Sequence, residues 1–242
     1  MESFLERTKD ADLDGLLREL AGRTHRHTRR SLRLLAWKLT VGGAYALKRL
    51  IDIAGSGIGL VVLSPLFLAI AVAVKASSPG PVIFRQFRVG RYGRYFAFYK
   101  FRSMRRTAET ERGSLEDRNE SGDGVIFKMK DDQRITKVGK FLRRTSLDEL
   151  PQLWNVFIGD MSLVGPRPPL PEEVRKYTLE DRKRLDVIPG ITGLWQVAGR
   201  SDIPFKEQVR LDKEYILAPG IWKDFAILLR TIPAILGGKG AY

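Results

Sequence analysis

Asp148 and Glu149 stand side by side in TSLDELPQL (residues 145–153), directly after the basic run FLRR. Two readings fit them. Ser146-Leu147-Asp148-Glu149 matches the S-x-x-E capping box that opens a helix, and acids near a helix N-terminus are favoured by its dipole. With Ser146 as N-cap, however, Pro151 falls about five residues into the helix, where a proline removes a backbone hydrogen bond. The other reading is a reaction centre. A carboxylate can attack phosphorus, and a second carboxylate can hold a divalent cation.

Cations surround this pair in the sequence. Arg143 and Arg144 precede it. In GDMSLVGPRPP (159–169), Arg167 is fixed between Pro166 and Pro168. Proline on both sides restricts the backbone and presents the guanidinium in one orientation, which suits bidentate recognition of phosphate. The plainer reading is a stiff loop with a solvated arginine. A second glycine-rich segment, PGITGLWQVAGRS (189–201), carries Trp195, Gln196 and Arg200 but has no Walker lysine. Together these segments outline a cationic pocket around one acidic pair. Phosphoryl transfer asks for that combination, commonly with Mg²⁺ held by carboxylate and phosphate oxygens.

Composition narrows the partners. Lys and Arg number 42 against 28 Asp and Glu, a net charge of +14. Nucleic acid, anionic lipid or phosphorylated substrates are the polyanions that such a charge attracts. Cysteine is absent, which excludes disulfides, thiolate nucleophiles and cysteine-ligated metal centres. The two histidines, His25 and His27, sit within RTHRHTRR, a charged segment rather than a metal site. Acid–base and nucleophilic chemistry therefore falls to carboxylates, Lys, Tyr or Ser.

The elements that must position these groups begin with IAGSGIGLVVLSPLFLAIAVAV, 22 uncharged residues from Ile53 to Val74. One helix of that length crosses a bilayer, the simplest reading. Two features oppose it. Basic residues flank both ends (Arg33, Lys38, Lys48 and Arg49 before; Lys75, Arg85, Arg88, Arg91 and Arg94 after), whereas a spanning helix has one basic side. Ser64-Pro65 interrupts the middle, leaving arms of roughly 18 and 14 Å, each too short to span. A re-entrant hairpin is expected, with the Ser64 hydroxyl meeting a freed carbonyl. GSGIG (55–59) reads as a close-packing face rather than a dinucleotide fingerprint.

Upstream, residues 31–50 pattern as an interfacial helix, and residues 1–30 as a short helix with a mobile basic arm. Downstream, PVIF and YFAFYKF flank VGRYG, predicting a β-hairpin. From Lys75 through Arg106 there are nine basic residues and no acid. Single-stranded nucleic acid or anionic headgroups would suit that hairpin, and the neighbouring apolar run favours headgroups. Residues 107–124 form a polar loop. Helical patterns occupy 132–159, 171–187, 204–217 and 220–236; the last contains Pro233 and reads as a core helix or a membrane-surface helix.

Taken in order, KRLID (48–52), Ser64-Pro65, SSPGPVIFRQFRVG (77–90), FYKFRSM (98–104), FLRRTSLDELPQLWNVFIGDMSLVGPRP (141–168) and RLDVIPGITGLWQVAGR (184–200) resemble the bacterial sugar transferase family, the small monotopic polyprenyl-phosphate phosphoglycosyl transferases. The resemblance implies an α+β, mainly α, monotopic membrane protein with a re-entrant helix-break-helix hairpin, a β-hairpin and amphipathic surface helices. Its parts would be a basic extension (1–46), the hairpin (47–75) and a cytoplasmic catalytic domain (76–242). The extension is too short to be the multi-helix extension of larger relatives.

The implied reaction takes UDP-sugar and polyprenyl (undecaprenyl) phosphate to polyprenyl-diphosphate-sugar and UMP, with Mg²⁺, at the cytoplasmic face of the bacterial inner membrane. Asp148 would be the nucleophile of a two-step mechanism, and Glu149 with Asp148 would hold the metal. Lys100, Arg143, Arg167 and Arg200 would contact phosphate; Pro166, Pro168 and Gln196 would line the nucleotide and sugar pocket. The partners implied are UDP-sugar, polyprenyl phosphate and anionic lipids, without nucleic acid, and a homodimer is admitted. GLWQVAGRSDIPF and the terminal GAY look most like members that transfer galactose or glucose 1-phosphate. Single displacement, with the acids only binding metal, is the rival mechanism. A nucleic-acid-binding protein would explain the charge but not the apolar run, and a membrane anchor would not explain the rigid arginine loops.

Overall fold

The computed structural model describes residues 42–237, except 112, 114, 116–118, 122, 123, 128 and 130. The N-terminal arm with its histidines, the start of the expected interfacial helix and the terminal GAY lie outside the described residues. The chain divides into two compact units, Met1–Lys48 and Arg49–Tyr242. The described part of the first is only the opening of a helix; the second holds every other element.

Helix α1 (Gly42–Val62) and helix α2 (Ser64–Ser77) meet at a bend of 61°. Pro65 opens α2, where its missing N–H costs nothing to the new helix but ends the old one. Ser64 Oγ donates to the Val61 carbonyl at 2.8 Å, as expected of a break in an apolar run. Among the described residues no single helix is long and apolar enough to cross a membrane; the bent pair qualifies only jointly.

The hairpin comes next, as antiparallel β1 (Ile83–Val89) and β2 (Tyr95–Phe101), in register from Ile83–Phe101 to Val89–Tyr95. After it come α3 (Lys137–Arg144), α4 (Gln152–Ile158) and β3 (Ser162–Val164). Two short helices, α5 (Pro171–Arg175) and α6 (Leu179–Arg182), precede β4 (Gly190–Thr192). Helices α7 (Leu194–Ala198), α8 (Phe205–Leu217) and α9 (Ile221–Gly237) complete the fold. The architecture is mainly helical with small β elements, consistent with the α+β class. The parallel pair β3–β4 has no counterpart in the sequence patterns: three-residue strands carry too little alternation to be read there.

Glycines let α1 pack closely on the body. A Cβ at Gly55 would stand 3.0 Å from Leu163, and one at Gly59 would stand 3.1 Å from Leu153, so GSGIG is a packing face. Two polar residues lock this contact. Buried Asp52 accepts from Ser162 Oγ at 3.1 Å and from the Leu163 N–H at 2.9 Å. Arg49 donates to the Val156 and Phe157 carbonyls at 2.6 and 2.8 Å, at the C-terminal end of α4, where a cation is favoured. Beneath α2, Ile70 and Val74 pack with Phe101 and Leu142. Helix α9 packs on the core along one face, with Ile227 buried against Val164 and Tyr215, while Trp222, Phe225, Leu229 and Ile232 are exposed.

The capping box at Ser146 does not form. Ser146 adopts left-handed backbone, φ 54°, with no capping hydrogen bond. Leu147–Glu149 is one 3₁₀ turn, and α4 begins only after Pro151. The proline therefore sits before the helix rather than inside it, which removes the conflict that the capping reading created.

Candidate active site

Asp148 and Glu149 reach the wall of a cavity of about 520 Å³, which Lys100, Arg143, Arg167 and Arg200 also line. Residues from separate stretches of chain thus meet in one place. Each is held by a traceable device.

Lys100 projects from β2 with its ammonium 5.2 Å from the Phe84 ring centroid. Strand β2 is pinned from the side by buried Asn155, which donates to the Ala97 carbonyl at 2.6 Å and accepts from the Tyr99 N–H at 3.2 Å. Arg143 lies in the last turn of α3 and donates from Nε to Ser103 Oγ at 3.0 Å. Helix α3 is capped by Thr136, whose Oγ1 accepts from the Gly139 N–H. Gly139 is required there: a Cβ would fall 1.8 Å from the Ser103 carbonyl oxygen. Arg200 donates from Nη2 to Ser146 Oγ at 2.7 Å.

The Pro-Arg-Pro loop is stiff for a reason beyond its prolines, since carbonyls on both sides of Arg167 are engaged. Pro166 O accepts from the Gly190 N–H at 2.8 Å and Pro169 O from the Val89 N–H at 3.0 Å. Pro168 O accepts from Arg88 Nη1 at 3.0 Å. Arg167 is left exposed, with Nη1 at 4.0 Å from Glu149 Oε1. Pro166 and Pro168 are buried behind the loop and do not line this cavity, because their carbonyls face the strands. Pro168 lines a small adjoining void with Glu149, Arg167 and Gln196, and the two prolines flank and fix Arg167. Gln196 does line the cavity.

Charge crowding shows in the titration of these groups. Burial lowers the Lys100 ammonium to about 8, helped by Arg143 and opposed by Asp148. Burial also raises the Glu149 carboxyl above its ordinary value, and the Asp148 charge adds to this, while Arg167, Lys100 and Arg200 pull it back. About 31% of the Glu149 side chain is accessible, so water or ligand in the cavity tempers that rise. A site with several cations around two carboxylates attracts an anionic ligand and a cation together.

The donor set can be tested against Mg²⁺. Among the described residues no cluster of three or more His, Cys, Asp or Glu is placed to hold a metal. Mg²⁺ commonly takes one or two carboxylates and completes its shell with water and substrate phosphate. Two adjacent carboxylates, one with its acidity weakened by the other, fit such a shared site; they do not fit an all-protein cage.

No local pattern in the sequence marks Ser103, Ser146 and Arg88 as supports for Arg143, Arg200 and the arginine loop. Their contacts span 40, 54 and 80 positions, beyond the reach of helix, strand or turn periodicity. Left-handed backbone at a non-glycine residue is the structural marker for two of the site positions, Ser146 and Arg200.

The frame and cavity define an α+β protein with a cation-lined cavity that holds two adjacent carboxylates. The chain belongs to the bacterial sugar transferase family, whose family model matches residues 43–238. It is 50% identical over 195 residues to galactosyl transferase CpsE of Streptococcus agalactiae serotype III, covering 80% of this chain and 43% of that protein. It is 43% identical over 203 residues to undecaprenyl-phosphate galactose phosphotransferase of Salmonella typhimurium, covering 81% and 42%. The exopolysaccharide production protein ExoY of Rhizobium meliloti is 37% identical over 212 residues, covering 81% of this chain and 88% of that protein. The chain thus spans less than half the length of the first two relatives.

Proposed function

We propose that the chain transfers a sugar 1-phosphate from a UDP-sugar to polyprenyl (undecaprenyl) phosphate, giving polyprenyl-diphosphate-sugar and UMP. The observation that carries this is the Asp148–Glu149 pair on the wall of a cavity lined by Lys100, Arg143, Arg167 and Arg200. Relatives named as sugar-phosphate transferases onto undecaprenyl phosphate support it, and those named for galactose or glucose favour a hexose of that kind.

Catalysis would proceed by positioning and charge neutralisation. An Asp148 carboxylate oxygen attacks the β-phosphorus of UDP-sugar. The bond from that phosphorus to the bridging oxygen breaks, and UMP leaves with the oxygen and its electron pair. An oxygen of polyprenyl phosphate then attacks the same phosphorus and releases the Asp148 carboxylate, so atoms and charge balance without an outside reagent. Arg167, held by its engaged neighbouring carbonyls, and Lys100 and Arg143 bind the phosphate oxygens. Mg²⁺, held by Glu149 and Asp148, would supply neutralisation of the diphosphate charge.

The bent pair α1–α2 would enter the bilayer from the cytoplasmic side and return to it. Exposed Ile58, Val61, Val62, Leu68 and Val72 suit lipid contact, and Trp222 and Phe225 on α9 suit the interface. Lys and Arg would engage anionic headgroups. Reconstituted protein given polyprenyl phosphate and a panel of UDP-sugars tests the reading. UMP release dependent on both substrates is expected, and none with any UDP-sugar would overturn it.

A further inference from the structure

Three polar atoms on one stretch of the cavity wall are enclosed and have no partner within the protein: Trp195 Nε1, Gln196 Oε1 and Arg200 Nη1. All three residues line the cavity. Each is also held in place by a separate constraint. Trp195 is 5% exposed, so its ring has no room to turn towards solvent. Gln196 donates from Nε2 to the Ile191 carbonyl at 2.8 Å, which fixes the amide and leaves Oε1 as an acceptor. Arg200 spends Nη2 on Ser146 Oγ, which leaves Nη1 as a donor. Buried polar groups are nearly always paired, and leaving one unmet is costly. Two donors and one acceptor, left unmet on residues that line one cavity, suit a ligand that brings its own hydroxyl or carbonyl groups.

Location decides which part of the donor these atoms read. Arg200 is bonded to Ser146, two residues from Asp148, and its charge acts on Glu149. Gln196 shares a small void with Glu149, Arg167 and Gln152. In the proposed reaction the phosphorus that Asp148 attacks is the one bonded to the sugar. The sugar therefore lies one phosphate-ester link from the acid pair, whereas the uracil lies beyond a second phosphate and a ribose. We infer that Trp195 Nε1, Gln196 Oε1 and Arg200 Nη1 form a hydroxyl-reading subsite for the hexose of the donor, and that Trp195 and Gln196 set which hexose is accepted. This rests on the reaction proposed above. A site built to bond a hydroxyl discriminates strongly against an analogue that lacks it.

The test uses the full chain, the preferred UDP-hexose and its singly deoxygenated analogues. Trp195→Phe removes the N–H and little else. The expected result is a fall of about tenfold in kcat/KM for the parent sugar, as for one lost hydrogen bond. One deoxy analogue should react equally with wild type and variant, and the affinity for UMP should be unchanged. Equal loss on the parent and every analogue, or a matching loss of UMP affinity, would overturn the subsite. Gln196→Glu gives a second variant, expected to shift the order of preference among hexoses. A thermal-shift arm without acceptor separates this proposal from the reaction itself. Greater stabilisation by UDP-hexose than by UDP in wild type, lost in Trp195→Phe, supports the subsite even where no UMP is released. Equal stabilisation by the two ligands in both proteins counts against it whether or not turnover occurs.

Discussion

Ser146 and Arg200, 54 positions apart, are joined by a 2.7 Å hydrogen bond from Arg200 Nη2 to Ser146 Oγ, and both hold left-handed backbone at φ 54° and 55°. Each such non-glycine residue costs on the order of 1–2 kcal/mol. Backbone strain of this kind persists where the surrounding structure fixes it, typically at functional sites. Here it turns the chain sharply ahead of Asp148 and aims Arg200 into the cavity.

Ser146→Gly separates the two roles of the serine. Glycine accepts the positive φ at no steric cost but cannot bond Arg200. The thermal midpoint should hold or rise while kcat/KM falls about tenfold, the weight of one positioning hydrogen bond. Parallel melting curves and UMP-release rates check this; a fall in both together would mean that the bond serves only the fold.

Lys100 gives the reaction an alkaline limb. Its ammonium is held at about 8, below the ordinary 10.5, by burial first and then by Arg143. The protonated form binds phosphate, so kcat/KM for UDP-sugar should fall as pH rises through about 8. In Lys100→Arg that limb should vanish, since arginine stays charged. Stability moves the opposite way. Between about 8 and 10.5 the unfolded lysine holds the larger share of proton, so this group's destabilising effect on the fold fades as pH rises. A pH–rate profile with a thermal melt at each pH reads both.

Sequence patterns reach what local chemistry determines. Ser64-Pro65 breaks the apolar run because proline does so anywhere, and GSGIG packs closely because glycines leave room for Leu163 and Leu153. The hairpin strands alternate, and its turn is rich in glycine. The acid pair and its cations are legible through residue type and order. At Ser146 the local pattern misleads: S-x-x-E fits a capping box, but the bond to Arg200 and the packing of Leu147 and Leu150 beneath the turn outweigh it. Pro166 and Pro168 read as a stiff frame for Arg167, but the partners of their carbonyls, Gly190 and Arg88, are not legible in the sequence. Asp52 looks like the edge of the apolar run, and its two acceptor contacts lie about 110 positions away.

Gly139→Ala should unseat the acid pair from a distance. The added carbon would fall 1.8 Å from the Ser103 carbonyl oxygen, against backbone that has no flexible end to move. A loss of at least about 3 kcal/mol, the upper range for overpacking, is expected, along with loss of the Arg143–Ser103 bond. Folded yield and a denaturation curve check it.

Arg184 and Asp212 form an ion pair whose side chains are 3% and 1% accessible, with the guanidinium 5.8 Å from the ring centroids of both Tyr177 and Phe205. Asp212→Ala leaves a buried cation unpaired, which typically costs about 3–5 kcal/mol. The thermal midpoint should drop by several degrees, and replacing both partners (Arg184→Met with Asp212→Leu) should recover much of the loss. A double mutant no more stable than Asp212→Ala would show that the pair's geometry, rather than its charge balance, holds α8.

The covalent step at Asp148 is tested most directly by trapping. The protein is incubated with UDP-sugar labelled at the β-phosphorus, without polyprenyl phosphate, then denatured and analysed for bound label. Label on the wild-type chain, released on addition of polyprenyl phosphate before denaturation and absent in Asp148→Asn, is expected. Normal turnover of the wild-type protein with no label ever retained would contradict attack by Asp148 and leave single displacement.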